Sequence, residues 1–585
     1  MRRADRVHQG TEVRILTDVG RLDRSSAGVK TPRKPRTVLA RPAIRRERIF
    51  TKQVESLGIA YPAAALRRAG HHVQVLDPML MEWSVEESAH AILACAPDII
   101  GLTIVDSDFP DTVRDLCLLL RQDGFRGPLV VGGHSSSFIP DRILERNASV
   151  DAVVVGEGEE ALVEIVSAYA HGGDWRQATG LAFHDASNRC VRNPVRRLMN
   201  LDELPLPARD LTSAVIARDG LVTMSTSRGC SARCTFCSVP RFFGLSNATG
   251  RPGSWVGRSA PNVVEEMEAL VANFAVNELL MVDDEFFGSC AYGHTRATAI
   301  ASMLIERALG IDFAISCRAA SVDARTLSQL QRAGLRHVFI GVEFGNARDG
   351  HLYAKHTTLD VNRQAVQVVK DLGLSLGCGF IMFNHFSDLD RLAQNIEFLQ
   401  QIGECKPLAL ASTLAPHFGA PITTLIEKAG RSHRAADGRI HPIEDPSVAA
   451  LRTLAAAVGE SFVSCAERIV ALRSAITFEW RRPVPHRSPD TERVLDAAES
   501  RISDAFARIV VDAIEELRSQ PLTPSDAIYF VDAHRARIDE ALREADRAFG
   551  LAALHLKAAE GELRYYEQTQ CHRTAASRHE YEPLG

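Results

Sequence analysis

Cys230, Cys234 and Cys237 stand in the run Ser227-Arg228-Gly229-Cys230-Ser231-Ala232-Arg233-Cys234-Thr235-Phe236-Cys237. This C-x3-C-x2-C spacing suits three thiolates that hold three irons of a [4Fe-4S] cluster and leave the fourth iron open to a ligand. Structural zinc takes four closed ligands, and the nearest further candidates, Cys290 and the histidines beyond it, lie too far along the chain to suggest a finger or ribbon. A zinc loop or a metal-free loop is the alternative to a cluster. Cys95, Cys117, Cys190, Cys378, Cys405, Cys465 and Cys571 are scattered and read as small buried hydrophobes.

With an aromatic residue, Phe236, just before the third cysteine, the triplet resembles the signature of the radical S-adenosylmethionine (SAM) enzymes. That resemblance gives parts to residues further along. Asp283-Asp284-Glu285 occupy the place where relatives bind the amino group of SAM's methionine, so Asp284 and Glu285 are the expected partners of an ammonium. Arg318 is expected to meet the methionine carboxylate, Glu343 to accept from ribose hydroxyls, and Phe236 to border the same ligand. For each, a structural ion pair at a strand end is the alternative. Cys290 and Cys317 read as buried thiols, with a radical-quenching thiol as the other reading.

These groups need strands to present them. Leu221-Val222-Thr223-Met224-Ser225-Thr226 would deliver the cysteine loop. Further strand-like runs follow at Glu278-Leu279-Leu280-Met281-Val282, Asp312-Phe313-Ala314-Ile315-Ser316, His337-Val338-Phe339-Ile340-Gly341, Ser375-Leu376-Gly377-Cys378-Gly379-Phe380-Ile381 and Pro407-Leu408-Ala409-Leu410. Separated by helical stretches, they predict a partial (β/α)6 barrel over residues 218–415, with its polar groups at the strand ends where barrels place their sites.

Upstream, residues 37–201 alternate short apolar runs with helical ones, which predicts an α/β fold with a doubly wound, Rossmann-like sheet. The strands are Thr37-Val38-Leu39-Ala40, His72-Val73-Gln74-Val75-Leu76-Asp77, Asp98-Ile99-Ile100-Gly101-Leu102-Thr103-Ile104, Pro128-Leu129-Val130-Val131-Gly132-Gly133-His134, which runs into a glycine turn, and Val150-Asp151-Ala152-Val153-Val154-Val155. The features Leu57-Gly58-Ile59-Ala60-Tyr61, Gly132-Gly133-His134 and Gly156-Glu157-Gly158-Glu159 resemble the cobalamin (B12)-binding domain that precedes the barrel in B12-dependent radical SAM enzymes, including the class B methyltransferases. The resemblance implies a cobalamin site at Thr103, Ser107, Gly132, Gly133 and Gly156, with Gly132 and Gly133 admitting the nucleotide tail because glycine lets a backbone come close. The D-x-H-x-x-G sequence that supplies an axial histidine in other cobalamin proteins is absent; Asp532-Ala533-His534 lies elsewhere and lacks the glycine. His134 is expected to be a polar loop residue rather than a cobalt ligand. A nucleotide-like domain used only for packing is the alternative.

Residues 1–36 read as a loose extension and 202–217, with Pro205 and Pro207, as a linker. Residues 416–585 carry long amphipathic helical stretches separated by prolines, expected to form a lid or substrate platform over the barrel mouth, with core packing as the expected role of Trp480, Tyr529 and Phe530 and lining of that mouth as the alternative. Across 585 residues the net charge is −5, which gives no electrostatic case for nucleic acid or a membrane surface. No apolar run stands out as a membrane span, and the expected setting is the cytoplasm.

The resemblance implies an enzyme that uses a [4Fe-4S] cluster, SAM and cobalamin, with electrons from a flavodoxin or ferredoxin. It would cleave SAM to a 5′-deoxyadenosyl radical, abstract hydrogen from an unactivated carbon and transfer the methyl of methylcobalamin to a small-molecule natural product. Cyclisation or rearrangement without methyl transfer is one alternative; an iron–sulfur sensor without turnover is another, though a mere sensor would need no SAM site.

Overall fold

The computed structural model describes residues 34–43, 53–104, 110–196, 200–246, 255–288, 290–434, 440–479 and 489–560. The extension before residue 34, the loop carrying Ser107, Trp480 and the tail carrying Cys571 lie outside the described residues.

The first unit is a sheet of β1 (Arg36–Ala40), β2 (His72–Leu76), β3 (Ile99–Thr103), β4 (Leu129–Gly132), β5 (Ala152–Val154), β6 (Leu181–His184) and β7 (Cys190–Arg192). Its order is β2-β1-β3-β4-β5-β6-β7, parallel through β5 and then antiparallel. The hairpin of β6 and β7 extends the sheet beyond the last strand expected from sequence. Alternation sets the two faces. Val38 and Ala40 join Ile92, Val113 and Leu116 in one apolar layer, while Leu39 joins Ile59, Leu66 and Ile165 in the other. The order 2-1-3-4-5 reverses direction between β1 and β3, where such sheets open a crevice at their carboxyl ends.

The expected linker is packed rather than loose. It holds the helix Thr212–Ala217, and just before it Arg209 pairs with the buried carboxylates Glu55 and Glu266. Glu266 also pairs with Arg258, whose Nη1 lies 3.3 Å from the Tyr61 hydroxyl of the first unit. Charges this deep need such partners, because an unpaired one would keep its full desolvation cost.

The second sheet contains β8 (Thr223–Met224); β9 (Ser227–Arg228) and β10 (Val256–Gly257) form a small antiparallel pair beside it; then come β11 (Glu278–Met281), β12 (Asp312–Arg318), β13 (Leu335–Glu343) and β14 (Ser375–Phe380). Its order, β14-β13-β12-β11-β8, is parallel throughout. The sixth position is reduced to a parallel bridge between Phe383 and Thr413. Pro407-Leu408-Ala409-Leu410, expected as that strand, is instead the helix Pro407–Ala411. Proline at its first position presets the helical φ, and so short an apolar run has no period to separate the two states.

The helices Pro446–Glu479, Pro489–Ser519 and Arg535–Glu560 bundle together, with Phe462 and Phe506 in edge contact and Arg468 over Phe549. They pack on the barrel's flank at the helices Leu389–Gln401 and Pro407–Ala411. Tyr529 is exposed and Phe530 is buried against His534. The stretch Pro446–Cys465 is long and apolar enough to cross a membrane by length and composition, but Val448, Leu451, Leu454 and Val458 are core residues against Leu410. The part of this region that does cover the barrel is the segment through Leu414, Ala420, Ile422 and Ile426, which packs with Phe344, Tyr353 and Phe236.

Candidate active site

The cysteine loop is fixed from three sides before any ligand is considered. Asp283, fully enclosed at the end of β11, accepts hydrogen bonds from Thr226 N (2.7 Å), Thr226 Oγ1 (2.6 Å) and Ser227 N (2.6 Å). At the far end Thr235 N donates to Tyr353 O (2.9 Å), Thr235 Oγ1 to Leu352 O (2.6 Å), and Ile422 N to Thr235 O (2.8 Å). Cys230 and Cys234 are buried and Cys237 half-buried. Burial pushes the Cys230 thiol up to about 11 and Cys237 up to about 12, and raises Cys234 as well. Metal coordination is what removes such protons outright. Among the described residues no three His, Cys, Asp or Glu side chains converge on a single ion. A cluster asks only one thiolate of each of three irons.

The carboxylates after β11 divide their work. Asp284 opens to a cavity yet is ringed by protein; desolvation first, then repulsion from Asp283, pushes it up to about 6 against a hydrogen bond from Gly229 N (3.3 Å). Glu285 turns inward. Its carboxylate accepts from Arg318 N (2.8 Å), Arg318 Nε (3.1 Å) and Phe287 N (3.1 Å), so it aims Arg318 and has no free face for a ligand. That corrects the expectation of a direct ligand contact: two strand ends, β11 and β12, meet there and the carboxylate joins them. Glu343, at the end of β13 with φ +74°, pairs with Lys355 Nζ at 3.3 Å. Phe236 meets Tyr353 edge-on, with ring centroids 5.3 Å apart.

On the other side, a cavity of about 340 Å³ lies at the carboxyl ends of β1, β3 and β4. Thr103, Gly132, Gly133 and Gly156, four of the residues expected to face cobalamin, border it. Gly133 has φ +120°, and a Cβ there would stand 2.1 Å from Ile104 O, so the turn requires glycine. Asp284, Val282 and Arg228 of the barrel border the same cavity. The sheet crevice and the strand ends of the barrel therefore share one space.

Two residues that sequence reasoning gave no such part join its walls. Arg228 donates to Glu157 Oε1 (2.7 Å) and Glu159 Oε1 (2.6 Å) at the start of the helix Gly158–Ala170, and lies over the Tyr61 ring at 5.0 Å. His134 Nε2 is 2.8 Å from Ser238 Oγ, with its ring stacked on Phe242 at 4.6 Å. The signals were present in retrospect: an arginine two residues before the first cysteine, and an acidic pair opening a helix.

Comparison with known proteins agrees with this division. The family descriptions "B12 binding domain" and "Radical SAM superfamily" match residues 50–166 and 224–399. The chain is 29% identical to an uncharacterized methyltransferase of Pyrococcus horikoshii over 59% of its own length and 73% of that protein's. It is 28% identical to the 4′-phospho-dehydrooxetanocin synthase of Priestia megaterium, over 56% of this chain and 46% of the synthase. It is 25% identical to the anaerobic magnesium-protoporphyrin IX monomethyl ester cyclase of Rubrivivax gelatinosus, over 55% of this chain and 58% of the cyclase. The chain thus spans about half the length of the last two. In fold it is similar to the cobalamin-dependent SAM radical enzyme OxsB with aqua-cobalamin and SAM bound (TM-score 0.67, 20% identity, 90% of this chain and 81% of that one).

Proposed function

Because the chain belongs to the radical SAM enzymes that carry an N-terminal B12-binding domain, we propose that it methylates an unactivated carbon of a small-molecule natural product. The observation that carries this reading is the shared cavity, bordered by the glycine turn after β4 on one side and by Asp284 at the barrel's strand ends on the other. A [4Fe-4S] cluster, SAM and cobalamin are the cofactors, and when bound they supply a hydrogen-abstracting radical and a transferable methyl group.

The residues fit these groups. Cys230, Cys234 and Cys237 form an all-thiol donor set on one loop, two of them buried and one half-buried. Thr103, Gly132, Gly133 and Gly156 would hold the corrinoid in a crevice bordered by a turn at Gly133 that has no room for a Cβ. Asp284, when ionised, pairs with the ammonium of SAM's methionine. Glu285 holds Arg318 by its backbone and its guanidinium, so Arg318 is aimed at the methionine carboxylate without paying rotamer entropy on binding. Glu343 accepts from ribose hydroxyls. Phe242, Phe243 and Val282 give the cavity an apolar wall that excludes water from the reacting carbon. A flavodoxin or ferredoxin would supply electrons, in the cytoplasm.

Anaerobic turnover with methyl-deuterated SAM, a reductant and a small-molecule extract tests the proposal. Methyl transfer predicts deuterium in a new product, with S-adenosylhomocysteine and 5′-deoxyadenosine formed in step, two SAM per product. The similarity to the magnesium-protoporphyrin cyclase gives the second reading, ring closure without methyl transfer, in which the product carries no label.

A further inference from the structure

Lys355 is a buried cation that the SAM site as proposed does not use. Its ammonium lies 5.7 Å from the centroid of Phe236, the residue just before Cys237. The side chain is 7% exposed, and its charged partner is Glu343 at 3.3 Å, a long contact for an ion pair in so dry a place. Gly341 makes room for it: a Cβ there would stand 3.0 Å from Lys355 Nζ and 2.6 Å from a Glu343 carboxylate oxygen. Glu343 itself reaches the lysine from a positive φ of 74°, a conformation that costs a non-glycine residue free energy and persists where surroundings enforce it. Burial disfavours the ammonium, but Glu343 and then Cys234 outweigh it, so Lys355 stays charged.

We infer that Lys355, held by Glu343 beneath the Phe236 ring, raises the reduction potential of the cluster on Cys230, Cys234 and Cys237. The inference rests on the assignment of that triplet to a [4Fe-4S] cluster. Reduction adds one electron, released by a flavodoxin- or ferredoxin-type donor that is oxidised by one electron, and moves no proton. The cluster and its thiolates thereby gain one negative charge, and a fixed cation in a low-dielectric site stabilises the form with more negative charge. The Lys355 side chain is itself 7% exposed, so this attraction is weakly screened. Glu343 opposes it in part while holding the lysine in place.

The test is the midpoint potential of the reconstituted full-length holoprotein without SAM, followed by electron paramagnetic resonance at fixed pH, for wild type, Lys355→Met, Lys355→Arg and Glu343→Gln. Lys355→Met should be harder to reduce by at least a tenfold change in the reduced-to-oxidised ratio, about 59 mV for a one-electron couple. Lys355→Arg should stay near wild type, and Glu343→Gln should move the other way. A full iron content with an unmoved midpoint in Lys355→Met, or an equal shift in Lys355→Arg, would overturn the inference and leave Lys355 a packing residue. Should Lys355→Met fail to hold a cluster, Glu343→Gln decides, and an unraised potential there overturns it. A wild type that takes up no four-iron cluster would instead remove the assignment of the triplet itself.

Discussion

His134 Nε2 lies 2.8 Å from Ser238 Oγ, so the glycine turn of the first sheet is joined to the residue that follows Cys237. Burial first, then the neighbouring His417, pushes His134 down to about 4, and at neutral pH it is an uncharged imidazole whose Nε2 is already engaged. Its expected part is a strut between the two units rather than a cobalt ligand. Electron paramagnetic resonance of the bound Co(II) corrinoid should show no nitrogen splitting from an axial imidazole, in wild type or in His134→Phe alike. A splitting present in wild type and lost in the variant would reverse that role. The variant should lose about 1 kcal/mol of stability with the buried hydrogen bond.

Arg228 makes the second joint. Its partners Glu157 and Glu159 are nearly fully buried, so Arg228→Met would remove an enclosed counter-charge that both carboxylates share. Breaking a buried pair in this way costs about 3–5 kcal/mol. Denaturant unfolding should register that loss, and corrinoid retention should fall with it, because both glutamates border the shared cavity.

Gly133→Ala and Gly124→Ala form a matched pair. Both glycines have positive φ, +120° and +98°, but a Cβ at Gly133 would strike Ile104 O, whereas Gly124 has nothing within 4 Å. Gly124→Ala should cost only the backbone strain, about 1 kcal/mol. Gly133→Ala should cost roughly 3 kcal/mol or more, as strain and clash add, and the holoprotein should lose corrinoid while keeping its iron.

Asp284 sets a pH dependence whose sign is fixed by its raised value of about 6. Between the ordinary carboxyl range and about 6 the folded chain holds a proton that the unfolded chain has released, so stability without SAM falls as pH rises through that window. SAM affinity runs the opposite way, since only the ionised carboxylate pairs with an ammonium. Isothermal titration of the cluster-loaded protein should show affinity weakening about tenfold for each pH unit below about 6. Asp284→Asn should bind weakly with no such slope.

Much of this was legible in the chain. The triplet needs only local spacing, and β1, β3, β4 and β5 of the N-terminal sheet are mostly buried apolar runs between helical stretches, a pattern that depends on neighbours in sequence. What escaped depends on distance. Glu285 reads as a ligand carboxylate until β12 brings Arg318 against it, and Lys355 is an ordinary lysine after a short helix until the fold places it under Phe236. Pro407-Leu408-Ala409-Leu410 is apolar in either state, and packing against the helix Pro446–Glu479 decides for a helix. The covering segment through Ile422 shows no motif, because it recognises the cysteine loop by one backbone hydrogen bond and apolar contact.

The most direct measurement is anaerobic reconstitution with iron, sulfide and cobalamin, followed by counting iron and corrinoid retained by wild type and by the Cys230→Ala/Cys234→Ala/Cys237→Ala variant. The two-site account predicts four irons and about one corrinoid in wild type, given three thiolates per site-differentiated cluster and one crevice, and loss of iron alone in the variant. A wild type that holds the cluster but not the corrinoid would contradict it, and with it the proposed methyl transfer.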